Sequence, residues 1–333
     1  MSQTALNPPP PPPPQVEAVR EFAAELQGVY KSFDDVQALR GLDLQIPHGL
    51  VGVLGPNGAG KSTLFRLLLG LDNASQGAVT VLGERMPEGA MQVRASTGYM
   101  PEDDSLFPDM TALEQVVHAA QLCGLPRVDA IARAHGCLDL VGLPDARYRQ
   151  AAQFSLGMRQ RLRLAMAVVH GPKLLIVDEP TAGLDPDGRL QMLNLLAEIA
   201  AQGTSVLLST HVLTDVEMIC QHVVLMSRGQ LGFNGPIGRF RAGGGQPLVR
   251  ARVVGEPALL QAALQKHGLG STIDQGAVVV TMRAEDAATF WQAAAESGVG
   301  ISGYAPEEED MAHAFVRHLR IDDPQRPKLS QKD

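Results

Sequence analysis

Short apolar runs recur along the chain and predict most of its elements. From about Glu21 onward, β-rich segments surround Tyr30 to Asp35 and Leu42 to Ile46. Leu50 to Leu54 (LVGVL) lacks polar alternation, as expected of a strand buried on both faces, and Ser62 to Leu69 has helical spacing. A mostly helical stretch covers roughly residues 110–170. Lys173 to Val177 (KLLIV) and Ser205 to Ser209 read as two further buried strands. Asp187 to Ala201 is a helix between them, and Val212 to Cys220 a helix after them. Buried strands alternating with helices predict a sheet with a substantial parallel portion, covered on both faces.

The order changes after Gly243-Gly244-Gly245, a hinge composition. A strand (Leu248 to Val254), a helix (Pro257 to His267), two short strands (Ser271 to Ile273 and Ala277 to Met282), a helix (Ala284 to Ser297) and a strand (Gly300 to Ala305) follow. This βαββαβ order predicts a small α+β domain of the ferredoxin-like type, with a final helix from Glu308 to Leu319. The segment carries no metal set, nucleophile pair or phosphate loop, so its expected role is packing and dimer stabilisation, or else regulation and partner recognition. At the other end Pro8 to Pro14 are seven consecutive prolines, an extended polyproline II run. It is either a disordered spacer or a ligand for a proline-binding module. The expected division is a proline-rich tail over 1–20, a large domain over 21–243, a small domain over 246–320 and a polar tail over 321–333.

With 333 residues and 45% hydrophobic content the chain can bury a sizeable core. Its net charge of −8 argues against the broad basic surface of a nucleic-acid binder, and no nucleic-acid partner is expected. Cys123, Cys137 and Cys220 are scattered without metal-ligand spacing and read as free thiols in a reducing compartment. No stretch reaches the roughly 18–20 apolar residues of a membrane-spanning helix. The best candidate, Leu162 to Val177, is broken by Arg163, His170, Gly171, Pro172 and Lys173, so a membrane role would have to come through a partner.

The chemistry starts at Gly55-Pro56-Asn57-Gly58-Ala59-Gly60-Lys61-Ser62, which fits G-x-x-x-x-G-K-[ST] between a strand and a helix. Glycines let such a loop wrap so that its N–H groups face phosphate oxygens, and the helix that follows, with Ser62 and Thr63 in its first turn, adds a positive end. Lys61 brings a full charge to the β- and γ-phosphates of ATP, and the Ser62 hydroxyl is a ligand for Mg²⁺. The apolar run Leu174 to Val177 ends in Asp178-Glu179. Asp178, at a strand's carboxyl end beside the loop, can hold Mg²⁺, and Glu179 is placed to orient or deprotonate the attacking water. His211, closing the strand Ser205 to Ser209, either offers its imidazole to the γ-phosphate or water, or is structural.

These pieces stand in the order of the ABC ATPases, and the segment between them carries the resemblance further. Phe154-Ser155-Leu156-Gly157-Met158 resembles that family's LSGGQ motif, Thr181-Ala182-Gly183-Leu184-Asp185 its D-loop, and Gly98 to Glu102 its Q-loop. Phe33 falls where the family stacks an aromatic on adenine. The resemblance covers about residues 21–240 and implies a P-loop NTPase fold of the ABC type with a helical signature subdomain. It implies that two copies, or the chain and a homologous subunit, pair head to tail. Ser155 and the Gly157 N–H, with Asp185 nearby, would then complete the other chain's nucleotide site. Glu102 stands in place of the usual glutamine and can still ligate Mg²⁺, while adding negative charge near the triphosphate. Leu156 and Met158 replace the usual glycine and glutamine. These departures resemble the branch driving exporters of drugs, lipids and polysaccharides.

The function so implied is ATP hydrolysis that drives export through a separate polytopic permease, with the chain held peripherally at the cytoplasmic face of the membrane. A soluble ABC ATPase acting on ribosomes or nucleic acid is the other class, and the single motor unit without a heptad run disfavours it. The resemblance also places the permease contact near Glu102 to Met110. There Leu106, Phe107 and Met110 sit among Asp103, Asp104 and Asp109. That segment is either an apolar anchor with an acidic rim or an ordinary surface loop with Phe107 tucked into its own core.

Overall fold

A long hairpin opens the fold: β1 (Phe22–Phe33) and β2 (Val36–Pro47) pair antiparallel around a tight turn where Asp34 takes a left-handed backbone. The computed structural model describes residues 22–103, 105–242 and 248–307, together with Met311, Ala314 and Phe315. The proline run, the Gly243–Gly245 hinge, the polar tail and most of the expected helix from Glu308 to Leu319 lie outside those residues.

Next come β3 (Leu50–Leu54), α1 (Lys61–Leu68), β4 (Gln76–Val81), β5 (Glu84–Arg85), α2 (Ala90–Ala95) and β6 (Thr97–Met100). The helical stretch then resolves into α3 (Ala112–Leu122), α4 (Arg127–Leu140) and α5 (Leu156–Val168). Thr111 and Glu114 close the start of α3 with a reciprocal cap: each side chain accepts from the other's backbone N–H, at 3.3 and 2.8 Å. β7 (Leu174–Asp178), α6 (Pro186–Ala201), β8 (Ser205–Ser209), α7 (Leu213–Ile219), β9 (His222–Ser227), β10 (Gln230–Pro236) and α8 (Ile237–Ala242) complete the larger unit.

Two sheets result. One is antiparallel, in the order β2-β1-β4-β5, and the other is β10-β9-β3-β8-β7-β6, parallel except for β10. The apolar run of each central strand is explained by what lies on its two faces. Leu50 and Leu54, Leu175 and Val177, and Val206 and Leu208 point into a core shared with α3 to α6. Their neighbours Val51 and Val53, Leu174 and Ile176, and Leu207 point into a second core shared with α1 and the antiparallel sheet. Alternation is present, but both faces are dry, so it does not show as polarity.

The remaining residues form β11 (Leu248–Val254), α9 (Pro257–Lys266), β12 (Ser271–Asp274), β13 (Ala277–Thr281), α10 (Ala287–Ser297) and β14 (Gly300–Glu307). Their antiparallel sheet has the order β12-β13-β11-β14, and Val249, Ala251, Val278 and Val280 pack against Leu260, Leu264 and Phe290 of the helices. One boundary needs correction. Met311 and Ala314, assigned by sequence to this small unit, are buried at 2% and 0% exposure in the core of the larger unit, in one cluster with Phe240. Apolar residues after β14 therefore return to the larger unit instead of extending the small one. Among the described residues no helix is long and apolar enough to cross a membrane.

Candidate functional site

The carboxyl ends of β3, β7 and β8 lie side by side, so the loops that follow them are brought together. Between β3 and α1 the chain must turn back sharply against β2 and β9. Gly55 and Gly60 make this possible: at Gly55 a Cβ would stand 2.4 Å from the Met226 carbonyl oxygen, and Gly60, at φ 102°, would press one to 2.9 Å from Leu39. Gly60 is also the residue before α1, which has no side-chain cap, so the first-turn N–H groups remain available to an anion.

Lys61 is the first residue of α1 and only 8% exposed. Its Nζ donates to the carbonyl oxygens of Gly55 at 2.6 Å and Pro56 at 3.4 Å. Burial pulls the ammonium pKa below the ordinary lysine value, against the opposing pull of Glu179, Asp178 and Glu102. The charge is therefore held in a tight, partly desolvated seat facing three carboxylates.

Asp178 ends β7 as a buried residue, with Oδ1 accepting from Ser209 Oγ of the neighbouring strand. Glu179 follows at φ 48°, a left-handed backbone rare for a residue with a side chain and concentrated at functional sites. That twist takes its carboxylate out of the sheet line, where Oε2 lies 2.9 Å from His211 Nδ1. A carboxylate only accepts, so the imidazole proton on this side sits on Nδ1. The histidine side chain is 62% exposed against 9% for Glu179, so the pair has one dry and one open member.

The cleft these groups share has a volume of about 690 Å³, within the range of small-molecule sites. Asn57 to Thr63 form one wall, and Glu102, Asp178, Glu179 and His211 line it as well. Of the residues singled out by sequence, Phe33, Gly55, Pro56, Ser155, Gly157 and Asp185 do not line it. Gly55 and Pro56 act from behind, through Lys61. Phe33 is 41% exposed at the end of β1, and Lys31 Nζ sits 4.6 Å from its ring centroid, so one ring face already carries a cation. Asp185 caps α6 through Gly188 N at 3.0 Å. Ser155 caps α5, accepting from Met158 N at 3.3 Å, and Gly157 lies in that helix's first turn.

Two basic residues line the cleft that sequence reasoning did not find. Arg40 comes from β2 and Arg228 from the β9–β10 turn. The Arg228-Gly229 turn, at φ 49° and 78°, is pinned to the phosphate loop by Gly229 N donating to Ala59 O at 3.0 Å. No local spacing announces this contact.

The donor set facing Lys61 fits Mg²⁺: a hydroxyl (Ser62) and two carboxylates (Asp178, Glu102) are hard oxygen ligands. Among the described residues no group of three His, Cys, Asp or Glu could hold a metal unaided, so phosphate oxygens would have to complete the shell.

Comparison with known proteins agrees with this geometry. Residues 39–182 match a family model described as ABC transporter. The Nod factor export ATP-binding protein I of Cupriavidus pinatubonensis is 38% identical over 207 residues, which is 62% of this chain and 64% of that protein. An uncharacterised ABC transporter ATP-binding protein of Bacillus subtilis, YxlF, is 36% identical over 213 residues, 64% of this chain and 70% of that one. In structure, cbiO1 from Clostridium perfringens, part of the ABC transporter complex cbiONQ, superposes with a TM-score of 0.61 at 28% identity. That match covers 65% of this chain and 89% of cbiO1. The matched span holds the phosphate loop, the β7 carboxylates and the helix that Ser155 caps, and on that extent of agreement the chain belongs to the ATP-binding subunits of ABC transporters, the ABC ATPases.

Proposed function

We propose that two such chains pair head to tail, hydrolyse Mg·ATP between them and drive export through a separate polytopic membrane permease. The convergence of Lys61, Asp178, Glu179 and His211 on one cleft carries this reading. Lys61 exchanges the Gly55 and Pro56 carbonyl oxygens for the β- and γ-phosphates, and the first-turn N–H groups of α1 cradle the same oxygens. Ser62, Glu102 and Asp178 would hold Mg²⁺, which when bound neutralises charge on the phosphate oxygens. Glu179 takes up or orients the proton of the attacking water, and His211, hydrogen-bonded to it and open to the cleft, meets the γ-phosphate side. Ser155 and Gly157, at the exposed start of α5 and outside the chain's own cleft, suit a second chain's nucleotide. Asp185 stands at the same face.

Export is supported by the relatives named for Nod factor export, together with Leu156, Met158 and Glu102 at the departures from the family pattern. In this reading the permease docks at residues 102–110. Phe107 is 52% exposed, and Gln115 holds its backbone by two hydrogen bonds of 3.0 and 3.1 Å, so the ring stands out of the core. Arg163 on α5 donates to the Asp103 carbonyl at 2.7 Å, which ties this segment to the helix that carries Ser155. The chain then sits peripherally at the cytoplasmic face, held by the permease. The strand order of the small unit supports a ferredoxin-like module, whose role is packing or dimer stabilisation, or else regulation or partner recognition.

The deciding experiment is Glu179→Gln. It keeps ATP binding and lowers turnover by roughly 10²–10⁴. Light scattering then shows the variant as a monomer without nucleotide and a dimer with ATP. Parental turnover, or an unchanged mass with ATP, overturns the reading.

A further inference from the structure

Outside the cleft, one buried titratable group has no part in the chemistry above. Asp215 lies in the first turn of α7 and is fully buried. Its Oδ2 accepts from Thr181 Oγ1 at 2.6 Å, and its Oδ1 accepts from Arg189 Nε, whose guanidinium also reaches Thr214 Oγ1. A carboxylate without water is expensive unless its oxygens are taken by good donors, and here both are.

The importance of the arrangement is which stretches of chain it joins. Thr181 stands two residues after Glu179, in a turn closed by Ala182 N to Glu179 O (3.2 Å) and Leu184 N to Thr181 O (3.2 Å). Asp215 stands four residues after His211, in the helix that the His211 segment leads into. Glu179 and His211 meet directly through one hydrogen bond, and that bond has an open partner. The Thr181–Asp215 hydrogen bond is a second junction between the same two segments, buried on both sides, and Arg189 covers it from its more open edge.

We propose that Asp215 is a positioning residue: by fastening Thr181 and Arg189 it keeps the turn bearing Glu179 in register with the segment bearing His211. Register then persists when the Glu179–His211 bond gives way to water and phosphate. A second consequence reaches the dimer face. The turn held by Thr181 continues into Gly183 and Leu184, which pack on Leu156 and Gly157 of the same chain: Leu156 Cδ2 lies 3.0 Å from where a Cβ on Gly183 would stand. The junction therefore also holds the α5 start that would serve a second chain's nucleotide.

This inference rests on Glu179 and His211 acting together, and the Glu179→Gln and His211→Ala single variants, each expected to lower turnover, decide that premise separately. The test is a double-mutant cycle between Thr181→Val and His211→Ala, read by single-turnover ATP hydrolysis and by equilibrium binding of a fluorescent ATP analogue. Thr181→Val keeps the shape and removes the donor. It is expected to lower the hydrolysis rate about tenfold with less than about a twofold change in affinity, and Thr181→Ser restores most of the rate. The double variant is expected to be no slower than the slower single variant by more than about twofold, because both changes disturb one arrangement. Multiplying losses overturn the proposal, as does a parental rate in Thr181→Val or a fall in affinity matching the fall in rate. Asp215→Asn is the companion variant, and if it fails to fold, the Thr181 pair decides alone.

Discussion

Met311 tests whether the end of the small unit's segment is part of the ATPase core. It is 2% exposed and clusters with Ala314 and Phe240, whose ring meets Phe233 edge-on at 5.1 Å. Met311→Ala removes a buried side chain from that cluster, a change that costs about 2–5 kcal/mol in well-packed cores. The cost depends on how far the site collapses, and for a flexible methionine beside the small Ala314 the lower part, about 2–3 kcal/mol, is expected. For a unit of this size each kcal/mol moves the midpoint by about 2–4 °C, giving a fall of roughly 4–12 °C. The assay is calorimetry with and without ATP, because ligand raises only the transition of the unit that binds it. The ATP-responsive transition should move. Trp291→Ala, in the half-exposed aromatic cluster of the small unit beside Phe290 and Tyr304, is the control and should leave that transition in place. An ATP-responsive transition unmoved by Met311→Ala would refute the packing argument. By the same reasoning, cutting the chain after Gly245 destabilises the ATPase unit and does not merely remove an appendage.

Two further outcomes follow from the cleft and its border. Burial lowers the Lys61 pKa, and phosphate oxygens would restore its charge, so nucleotide binding takes up a proton at pH values between the lowered value and the ordinary 10.5. ATP affinity therefore falls as pH rises through that window, while the nucleotide-free protein gains stability from this group over the same range. Calorimetric titration in buffers of different ionisation enthalpy reads the proton, and no uptake at alkaline pH would contradict it. At the border, Phe107→Asp should abolish transport and co-purification with the permease while the isolated chain's ATPase stays near parental, and unchanged co-purification would send the docking site elsewhere.

What could be read from the sequence divides along a physical line. Leu50–Leu54 and Ser205–Ser209 were legible to the residue, since a strand dry on both faces writes itself as an unbroken apolar run. That Lys61, Ser62, Asp178 and Glu179 line one cleft was legible because the motifs that predict phosphate chemistry fix residue types at local spacing. α1 begins one residue earlier than expected, at Lys61, because Gly60 already takes the left-handed turn that ends the loop. β4 was missed: its sequence, QGAVTV, is half polar, and its place beside β1 depends on partners some fifty residues away. Arg40 and Arg228 were missed for the same reason: one comes from β2 and the other from the β9–β10 turn, and only the fold brings them to the cleft. Phe33 was placed on adenine by position alone, whereas the fold sets Lys31 against its ring and leaves Phe33 outside the lining of the phosphate cleft.

Asp215 shows where local reading stops. In sequence it is one acidic residue in a short amphipathic helix, a pattern that ordinarily means a solvated face. Only the packing of α6 against α7 turns it inward, and only then do Thr181 and Arg189 become its partners. The residues that touch phosphate are constrained by the ligand and leave a motif. Those that hold them in register are constrained by each other, across 34 residues from Thr181 to Asp215, and leave none. A group of the second kind is recognisable by three properties together: full burial, complete satisfaction, and a position joining two loops that both carry chemistry. Asp215 has all three. Ser209 has the first two, but it joins β8 to β7 within one sheet, where the strand hydrogen bonds already fix the register. Loss of its hydroxyl should therefore disturb Asp178 alone, whereas loss of the Asp215 junction should disturb Glu179 and His211 together.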